Sequence, residues 1–267
     1  MTAYGADAKP AMGFFTDTSV CIGCKACEVA CKEWNQVPES NQGFTGMSYD
    51  NTIDLGADTW RHVAFIEQTK PIQADVDGGG LRWLMSSDVC KHCTHAACLD
   101  VCPTGALFRT EFDTVVVQQD ICNGCGYCVP ACPFGVLDKR EEDGRVWKCT
   151  LCYDRLGDGM EPACAKACPT DSIQFGELDE LRERAFDRLE VLQVAGESST
   201  RLYGEDPDDG MGGVGSIFLL LDEPEVYGLP PDPVSTTRDL PSMWRAAARA
   251  GAALLGAVAV AALGGQR

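Results

Sequence analysis

The sequence has few of the residues and motifs from which catalytic sites are built. It contains three histidines, His62, His92 and His95, and neither a G-x-x-x-x-G-K-[ST] loop nor a G-x-G-x-x-G turn after a strand. Only 22 Lys and Arg stand against 40 Asp and Glu, for a formal net charge of −18. Binding to a nucleic-acid backbone needs clustered cations, which this acidic chain lacks. We therefore predict no catalytic site within the chain and no nucleic-acid partner.

The N-terminal segment lacks the features of an export signal, and the tail lacks a long charge-free apolar stretch. Residues 1–20 have no basic start, no apolar stretch and no twin arginine, so they predict no export signal in this segment. In the tail, the charge-free core at residues 250–265 is short of the roughly 20 residues needed to cross a bilayer, and it is mostly Ala and Gly. Without other context, the tail fits a surface or partner-docking helix as well as a membrane span.

Cysteine, by contrast, is abundant and patterned. All 16 cysteines lie between Cys21 and Cys168, and they form four units that open with C-x-x-C and close with C-x-x-x-C. Three of the closing residues, Cys102, Cys132 and Cys168, precede proline. The units are Cys21-Cys24-Cys27-Cys31, Cys90-Cys93-Cys98-Cys102, Cys122-Cys125-Cys128-Cys132 and Cys149-Cys152-Cys164-Cys168.

This spacing is typical of cubane iron–sulfur clusters. Each cubane takes four thiolates, and two-residue spacers make tight loops whose N–H groups point at the anionic sulfurs. Gly23, Gly124 and Gly126 suit such loops, where a positive φ is needed. A closing cysteine of this type ligates the other cluster of a pair in two-cluster ferredoxins. Sixteen cysteines therefore predict four [4Fe–4S] clusters and a role in carrying single electrons.

Two alternatives use the same residues. Zinc also binds C-x-x-C pairs, and the fourth unit taken alone resembles a zinc site. A disulfide framework would need strained local bridges within the C-x-x-C pairs. His92, His95, Lys25 and Lys91 lie inside cysteine units, where they either adjust a cluster's electrostatics or belong to ordinary solvated loops. A metal-binding assembly module that transfers no electrons is the rival function.

Local patterns predict short strands, turns and one long helix. Residues 60–67 and 115–117 are rich in β-forming residues, and residues 216–221 form a buried apolar strand. Residues 77–80 predict a turn or loop, and residues 178–194 have helical periodicity. We predict an α+β fold with a cysteine-bearing domain at residues 1–177, including a loop insertion at 35–58. An acidic extension at 178–235 would pack on this body, and residues 236–267 would form a tail.

The acidic extension has two interpretations. Between Asp171 and Asp232 there are 16 acidic and 4 basic residues, so the local net charge is −12. This surface is either a solvated face or a docking face for a basic partner.

The cysteine units and their flanks resemble one family. FFTDTSVCIGCKACEVACKEWN, DTWRHVAFIE, RLYG and GSIFLLLDEPEVYGLPPDP are similar to the iron–sulfur (beta) subunits of molybdopterin-dependent oxidoreductases, the formate dehydrogenase branch above all. The resemblance implies two ferredoxin-like modules, in which the first and fourth units share one pair of clusters and the second and third share the other. We name the implied ligand sets sites 1 to 4. Site 1 is Cys21, Cys24, Cys27 and Cys168; site 2 is Cys90, Cys93, Cys98 and Cys132; site 3 is Cys102, Cys122, Cys125 and Cys128; site 4 is Cys31, Cys149, Cys152 and Cys164.

The same resemblance implies partners. These are a catalytic subunit with a molybdopterin cofactor, holding Mo or W, and an integral membrane subunit that reduces quinone. Membrane association would come through the tail helix or through a partner, on either side of the membrane. The expected function is electron transfer in a formate dehydrogenase complex. The alternatives are the iron–sulfur subunit of a polysulfide, thiosulfate or dimethyl sulfoxide reductase, or of a hydrogenase complex.

Overall fold

A four-stranded sheet organises the protein. The computed structural model describes residues 4, 8–39, 43–47, 49–68 and 82–264. The sheet has the order β8-β1-β10-β9, in which β1 runs antiparallel to β8 and parallel to β10, and β10 antiparallel to β9. These strands are β1 Met12–Asp17, β8 Ile173–Glu177, β9 Arg201–Tyr203 and β10 Ser216–Leu220.

The pairing of β1 with β8 joins distant parts of the sequence. Thr16 is paired with Ile173, so the chain leaves the sheet toward Cys21 beside the point where it enters from Cys168. The first and fourth cysteine units therefore begin and end at the same edge of the fold. The predicted strand in the extension is confirmed as β10, all of whose residues are buried.

One long helix covers the sheet. Helix α6, Leu178–Val194, has the bounds that the periodicity predicted. Its buried residues Leu178, Leu181 and Ala185 pack on Phe15 and Ile217 of the sheet in a second, smaller core. The predicted domain boundary at residue 178 thus falls between β8 and α6. The acidic extension beyond it supplies β9 and β10 to the same sheet as β1 and β8.

The cysteine-bearing part consists of short helices and hairpins. Its helices are α1 Ala26–Asn35, α2 Ala97–Asp100, α3 Cys128–Ala131, α4 Tyr153–Gly157 and α5 Ala163–Lys166. Its hairpins pair β2 Arg61–Gln68 with β3 Arg82–Val89, β4 Leu107–Arg109 with β5 Val115–Val117, and β6 Asp138–Lys139 with β7 Val146–Trp147. Helix α1 packs on α5 and α2 packs on α3, so the cysteine units pair first with fourth and second with third. Two ferredoxin-like modules in an α+β fold are confirmed.

The tail forms a single helix, α7, at Leu240–Gly264. Within the described residues, Leu240–Leu263 is the one segment long and apolar enough to cross a membrane, and none of its most apolar window is buried against the protein. The helix begins at Leu240, ten residues before the charge-free core, and therefore also includes Arg245 and Arg249. The turn predicted at residues 77–80 lies outside the described residues.

Candidate metal centres

Two cavities are lined by the thiols of sites 1 and 4. Cys21, Cys24, Cys27 and Cys168 line one pocket, whose wall also includes Pro169. The thiols of site 4 line a second pocket, together with Asn35 and Arg61. Each cavity takes three thiols from one cysteine unit and one from the other, as expected if α1 and α5 pack together.

The thiols of sites 2 and 3 also form two groups. Burial raises the pKa of Cys93 well above its ordinary value, and the neighbouring Cys90, Cys98 and Cys132 raise it further. Burial raises the pKa of Cys128 to about 11, with further contributions from the thiols of Cys102, Cys122 and Cys125. Cys93 and Cys128 therefore each have as electrostatic neighbours the other three members of their predicted sets. The assignment of individual thiols to clusters remains a prediction.

The chemistry of these groups fits iron–sulfur clusters better than the two alternatives. All sixteen cysteines are among the described residues and all are free thiols, so a disulfide framework is not formed. No three Cys, His, Asp or Glu side chains in the described part of the chain converge on a point where a single ion would sit. A zinc site needs sulfurs about 2.3 Å from the metal. Four thiols spread around a cavity instead suit a cluster with one iron at each corner.

Glycine is required in the loops that present the thiols. Gly23 and Gly124 have φ values of +63° and +72°, and Gly126 has +79°, which confirms the predicted left-handed conformations. A Cβ atom at Gly124 would lie 2.2 Å from the carbonyl oxygen of Gly144, and one at Gly23 would lie 2.6 Å from the Phe65 ring. At these positions only glycine allows both the backbone turn and the close packing.

Hydrogen bonds reach several of the sulfur atoms. The Leu151 N–H donates to Cys149 Sγ at 3.3 Å, and Asn35 Nδ2 lies 3.7 Å from the sulfurs of both Cys31 and Cys152. Burial would raise the pKa of Cys102, but the N–H groups of Leu107, Thr104 and Ala106 and the Thr104 hydroxyl lower it below its ordinary value. Donors of this kind stabilise negative charge on the sulfurs.

Three cations are buried within the cysteine-bearing part. Arg61, Lys91 and Lys148 are among the largest fully buried side chains of the described residues. Lys91 is paired with Asp88, whereas Arg61 and Lys148 form no ion pair with a carboxylate in the described residues. A buried charge is costly unless it is compensated. Clusters held by thiolates would supply the missing negative charge.

The cysteine pattern drew attention to Lys91 but to neither Arg61 nor Lys148. Lys148 directly precedes Cys149, as Lys91 directly follows Cys90, so adjacency to a ligand was a usable signal. Arg61 lies in a strand 30 residues from the nearest cysteine on its N-terminal side, at Cys31, and its sequence neighbours give no such signal.

The histidines and Lys25 have different surroundings. His92 is buried and its Nδ1 atom accepts a hydrogen bond from the Val115 N–H, while its Nε2 atom has no partner among the described residues. Burial lowers the pKa of His92 well below its ordinary value, and the charges of Lys148, Arg109 and Arg61 lower it further. Lys25 is partly exposed and lies 3.2 Å from Glu28, so it serves an ion pair at the start of α1.

Thiols of different sites also influence one another electrostatically. Burial raises the pKa of Cys27 to about 11, and Cys164 contributes to this shift, which places sites 1 and 4 side by side. Burial raises the pKa of Cys149 to about 12, and Cys90 makes the largest electrostatic contribution of any neighbouring thiol. Site 4 is therefore next to site 2. Burial likewise raises the pKa of Cys98 to about 12, and Cys128 is among its neighbours, which joins site 2 to site 3. Site 4 is therefore a neighbour of sites 1 and 2, and site 2 is a neighbour of site 3.

The fold and these thiol groups define a ferredoxin-like protein with several clusters. Residues 20–106 and 81–178 each match a family model described as a 4Fe-4S dicluster domain. Together with the sixteen cysteines, these matches support four [4Fe–4S] clusters.

Curated relatives narrow this class to a family. The protein is 40% identical to the nitrate-inducible formate dehydrogenase iron–sulfur subunit of Escherichia coli, over 90% of this sequence and 79% of the relative. It is 42% identical to the formate dehydrogenase iron–sulfur subunit of Haemophilus influenzae, over 85% of this sequence and 71% of the relative. Identity to the B subunit of the anaerobic dimethyl sulfoxide reductase of E. coli is 38%, over 68% of this sequence and 81% of the relative. The protein belongs to this family of iron–sulfur subunits and is an electron-transfer subunit.

Proposed function

We propose that this protein is the electron-transfer subunit of a membrane-associated formate dehydrogenase complex. The observation that carries the proposal is the extent of similarity, since the formate dehydrogenase subunit of E. coli aligns with 90% of the sequence and the dimethyl sulfoxide reductase subunit with 68%. An alignment of that extent includes much of the segment after Cys168. This segment supplies β9 and β10 of the central sheet, so its similarity concerns the folded body.

The four sites would be held by the protein's own thiols. The thiols of sites 1 to 4 would bind one [4Fe–4S] cluster each, and each cluster, when bound, would accept and release one electron. Formate releases two electrons and one proton on oxidation to carbon dioxide, so a catalytic partner needs an outlet that takes electrons singly. The succession of sites 1, 4, 2 and 3 supports such an outlet because thiols of neighbouring sites influence each other's pKa at every junction.

The surrounding residues would orient the clusters and exclude water. Left-handed turns at Gly23 and Gly124 free backbone N–H groups for the sulfurs, and Asn35 adds a side-chain donor at site 4. Phe14, Leu151 and Val89 are fully buried beside site 4 and keep its surroundings apolar. A fixed, water-poor environment reduces the reorganisation that accompanies each change of charge.

The proposed partners are a molybdopterin catalytic subunit and an integral membrane subunit that reduces quinone. Helix α7 supports membrane contact because Leu240–Leu263, a mostly apolar segment of 24 residues that includes Arg245 and Arg249, would be about 36 Å long at 1.5 Å per residue. This exceeds the hydrocarbon thickness of about 30 Å.

Anaerobic purification of the complex tests the proposal. The expected result is about sixteen iron atoms per copy of this subunit, four for each of four cubanes, after the iron of any partner is subtracted. Formate should then bleach the cluster absorbance and generate EPR signals from more than one cluster of this subunit.

The alternatives give different results in the same preparation. Bleaching by hydrogen but not by formate would identify a hydrogenase complex. Reoxidation of the reduced clusters by dimethyl sulfoxide, polysulfide or thiosulfate, without reduction by formate, would identify a reductase. Zinc in place of iron would overturn the electron-transfer role itself.

A further inference from the structure

The two unpaired buried cations, Arg61 and Lys148, have a common placement. Each residue is only 1% exposed, yet no carboxylate of the described residues pairs with either. Both are surrounded by uncharged acceptors and by cysteine thiols. Lys91 is the contrasting case, since its ammonium pairs with Asp88.

Arg61 lies between site 1 and site 4. Its Nη2 atom donates to Cys164 Sγ of site 4 at 3.3 Å, and its Nη1 atom donates to the Ser87 carbonyl oxygen at 3.1 Å. The Ser87 hydroxyl in turn lies 3.2 Å from Cys27 Sγ of site 1 and 3.4 Å from Nη1. The Phe14 ring covers the guanidinium at 4.7 Å, so water does not screen it. The Nε atom has no partner in the described residues.

Lys148 lies between site 4 and site 2. Its ammonium donates to the carbonyl oxygens of Cys149 in site 4, at 2.8 Å, and of Val115. The Val115 N–H in turn donates to Nδ1 of His92, in the loop between Cys90 and Cys93 of site 2, at 3.1 Å. Burial raises the pKa of the Cys98 thiol of site 2, and Lys148 is the largest charge that opposes this shift. Lys148 opposes the burial-driven shift in the pKa of Cys149 in site 4 as well. The ammonium therefore lies at the junction of the two sites.

We propose that Arg61 and Lys148 are fixed positive charges shared between neighbouring clusters, Arg61 between sites 1 and 4 and Lys148 between sites 4 and 2, and that they raise the reduction potentials of those clusters. This inference rests on the proposed ligation of clusters by the four thiol sets. Both side chains are positioning residues, because they act on the clusters through charge and hydrogen bonds and ligate no iron.

The physical reason is the sign of the charge that reduction adds. One-electron reduction makes a cluster more negative by one unit, and a nearby cation favours that change. The effect is large where protein rather than water surrounds the pair, and both cations are buried. Site 4 adjoins both cations, so it should be affected by the loss of either.

Redox titration followed by EPR, on the anaerobically purified complex, tests the inference. Arg61→Gln keeps hydrogen-bond donors but removes the charge, and Lys148→Gln does the same at the second position. Each variant is expected to lower the potentials of two clusters, with the equilibrium constant for reduction falling about tenfold or more, equivalent to about 59 mV for one electron. One cluster signal should shift in both variants. Arg61→Lys should restore most of the wild-type values.

Lys166→Met is the matched control. Lys166 lies two residues from both Cys164 and Cys168, but its side chain is 71% exposed, so solvent screens its charge. Removal of this charge is expected to shift the cluster potentials less than Arg61→Gln does. Iron content of each variant must equal that of wild type for the comparison to be made.

Three outcomes would overturn the inference. They are unchanged potentials in both Gln variants, an equal shift of all four clusters, and a Lys166→Met shift as large as that of Arg61→Gln. If Arg61→Gln fails to assemble its clusters, Lys148→Gln answers the same question at sites 4 and 2. Unaltered potentials in a variant complex that retains four clusters and reacts with formate would contradict this inference alone. A wild-type protein without four clusters would contradict the proposed function first.

Discussion

The Nε2 atom of His62 lies 2.7 Å from the Oδ2 atom of Asp50, and both side chains are buried. His62 belongs to β2, whereas Asp50 belongs to the segment predicted as a loop insertion at residues 35–58. The Asp50 carboxylate also accepts hydrogen bonds from the Thr52 N–H at 2.9 Å and from Lys25 at 3.4 Å. This group of contacts fastens the insertion to the cysteine-bearing body beside site 1.

Replacement of the Asp50 carboxylate should loosen this attachment. We expect Asp50→Asn to lower the free energy of unfolding by about 1.5 to 3 kcal/mol, the range for hydrogen bonds to charged groups, and to increase proteolysis within residues 35–58. Asp54→Asn, an exposed change in the same segment, should have little effect. Equal proteolysis of the two variants would contradict the anchoring role.

The pH dependence of this contribution follows from the Asp50 pKa. Burial alone would raise that pKa, but the hydrogen bond from His62, the Thr52 N–H and the charge of Lys25 hold it below its ordinary value. The contribution is therefore complete above the unfolded pKa of about 3.9 and is lost as pH falls through the lower folded value. The difference between wild type and Asp50→Asn in denaturant unfolding should shrink only below about pH 4.

The predicted ligand sets cross between cysteine units, and this can be tested with serine variants. Cys164 and Cys168 belong to the same unit but to sites 4 and 1. We expect Cys168→Ser to alter the same EPR signal as Cys21→Ser, and Cys164→Ser to alter the signal that Cys31→Ser affects. If Cys168→Ser and Cys164→Ser change one common signal, each unit binds its own cluster and the crossed assignment is wrong.

Gly124 should be necessary for the assembly of site 3. A Cβ atom there would approach the Gly144 carbonyl oxygen to 2.2 Å, so Gly124→Ala must displace the loop that carries three site 3 thiols. We expect the loss of up to four of about sixteen iron atoms. Gly159→Ala is the control, since Gly159 has a similar φ of +71° with no atom within 4 Å of the added carbon. It should keep its iron and lose only about 1 kcal/mol of stability.

Removal of the clusters should destabilise the body. Without them, Arg61 and Lys148 are buried cations with no compensating charge, and burial raises the pKa of thiols such as Cys31 and Cys93 and keeps them protonated. We expect iron chelation under oxidising conditions to lower the thermal midpoint sharply and to broaden the transition, because cluster binding and folding are coupled. Circular dichroism during cluster loss measures this. An apo-protein that unfolds at the holo-protein's temperature would show that the fold is independent of its clusters.

A charge in the middle of α7 should weaken membrane attachment. We expect Leu254→Arg to shift the protein from the membrane fraction toward the carbonate-extractable fraction, because a central arginine costs about 2.5 to 3.5 kcal/mol on insertion. Ala246→Arg places the same charge beside Arg245 near the helix start and should have a much smaller effect. Identical partitioning of the two variants, and of a protein truncated after Pro241, would assign the anchoring to another subunit.

Much of the organisation could be predicted from the sequence because it depends on local spacing. Two-residue spacers between cysteines, glycines at positive φ and the helical period of residues 178–194 are all properties of short segments. The structure confirms Gly23, Gly124 and α6 at the predicted positions. The length of the tail helix was predicted only in part. The charge-free core has 16 residues, whereas the helix has 25 because it begins earlier and includes two arginines.

Other features depend on residues far apart in the sequence. The contact of Arg61 with Cys164 joins residues 103 positions apart, and it exists because β2 and α5 meet beside β1 and β8. The burial of Lys148 and the closeness of Cys149 to Cys90 likewise arise only when the two modules pack together.

The sequence alone determined the chemistry of this protein, because four repeated thiol units in a chain with so few catalytic side chains suit iron–sulfur clusters and electron transfer. The resemblance to a known family implied which units pair, whereas the adjacency of site 4 to site 2 and the cations at the junctions became visible in the folded structure. The physical reason is that a ligand spacing is encoded within a few residues. A buried charge and a neighbouring cluster site are created by long-range packing.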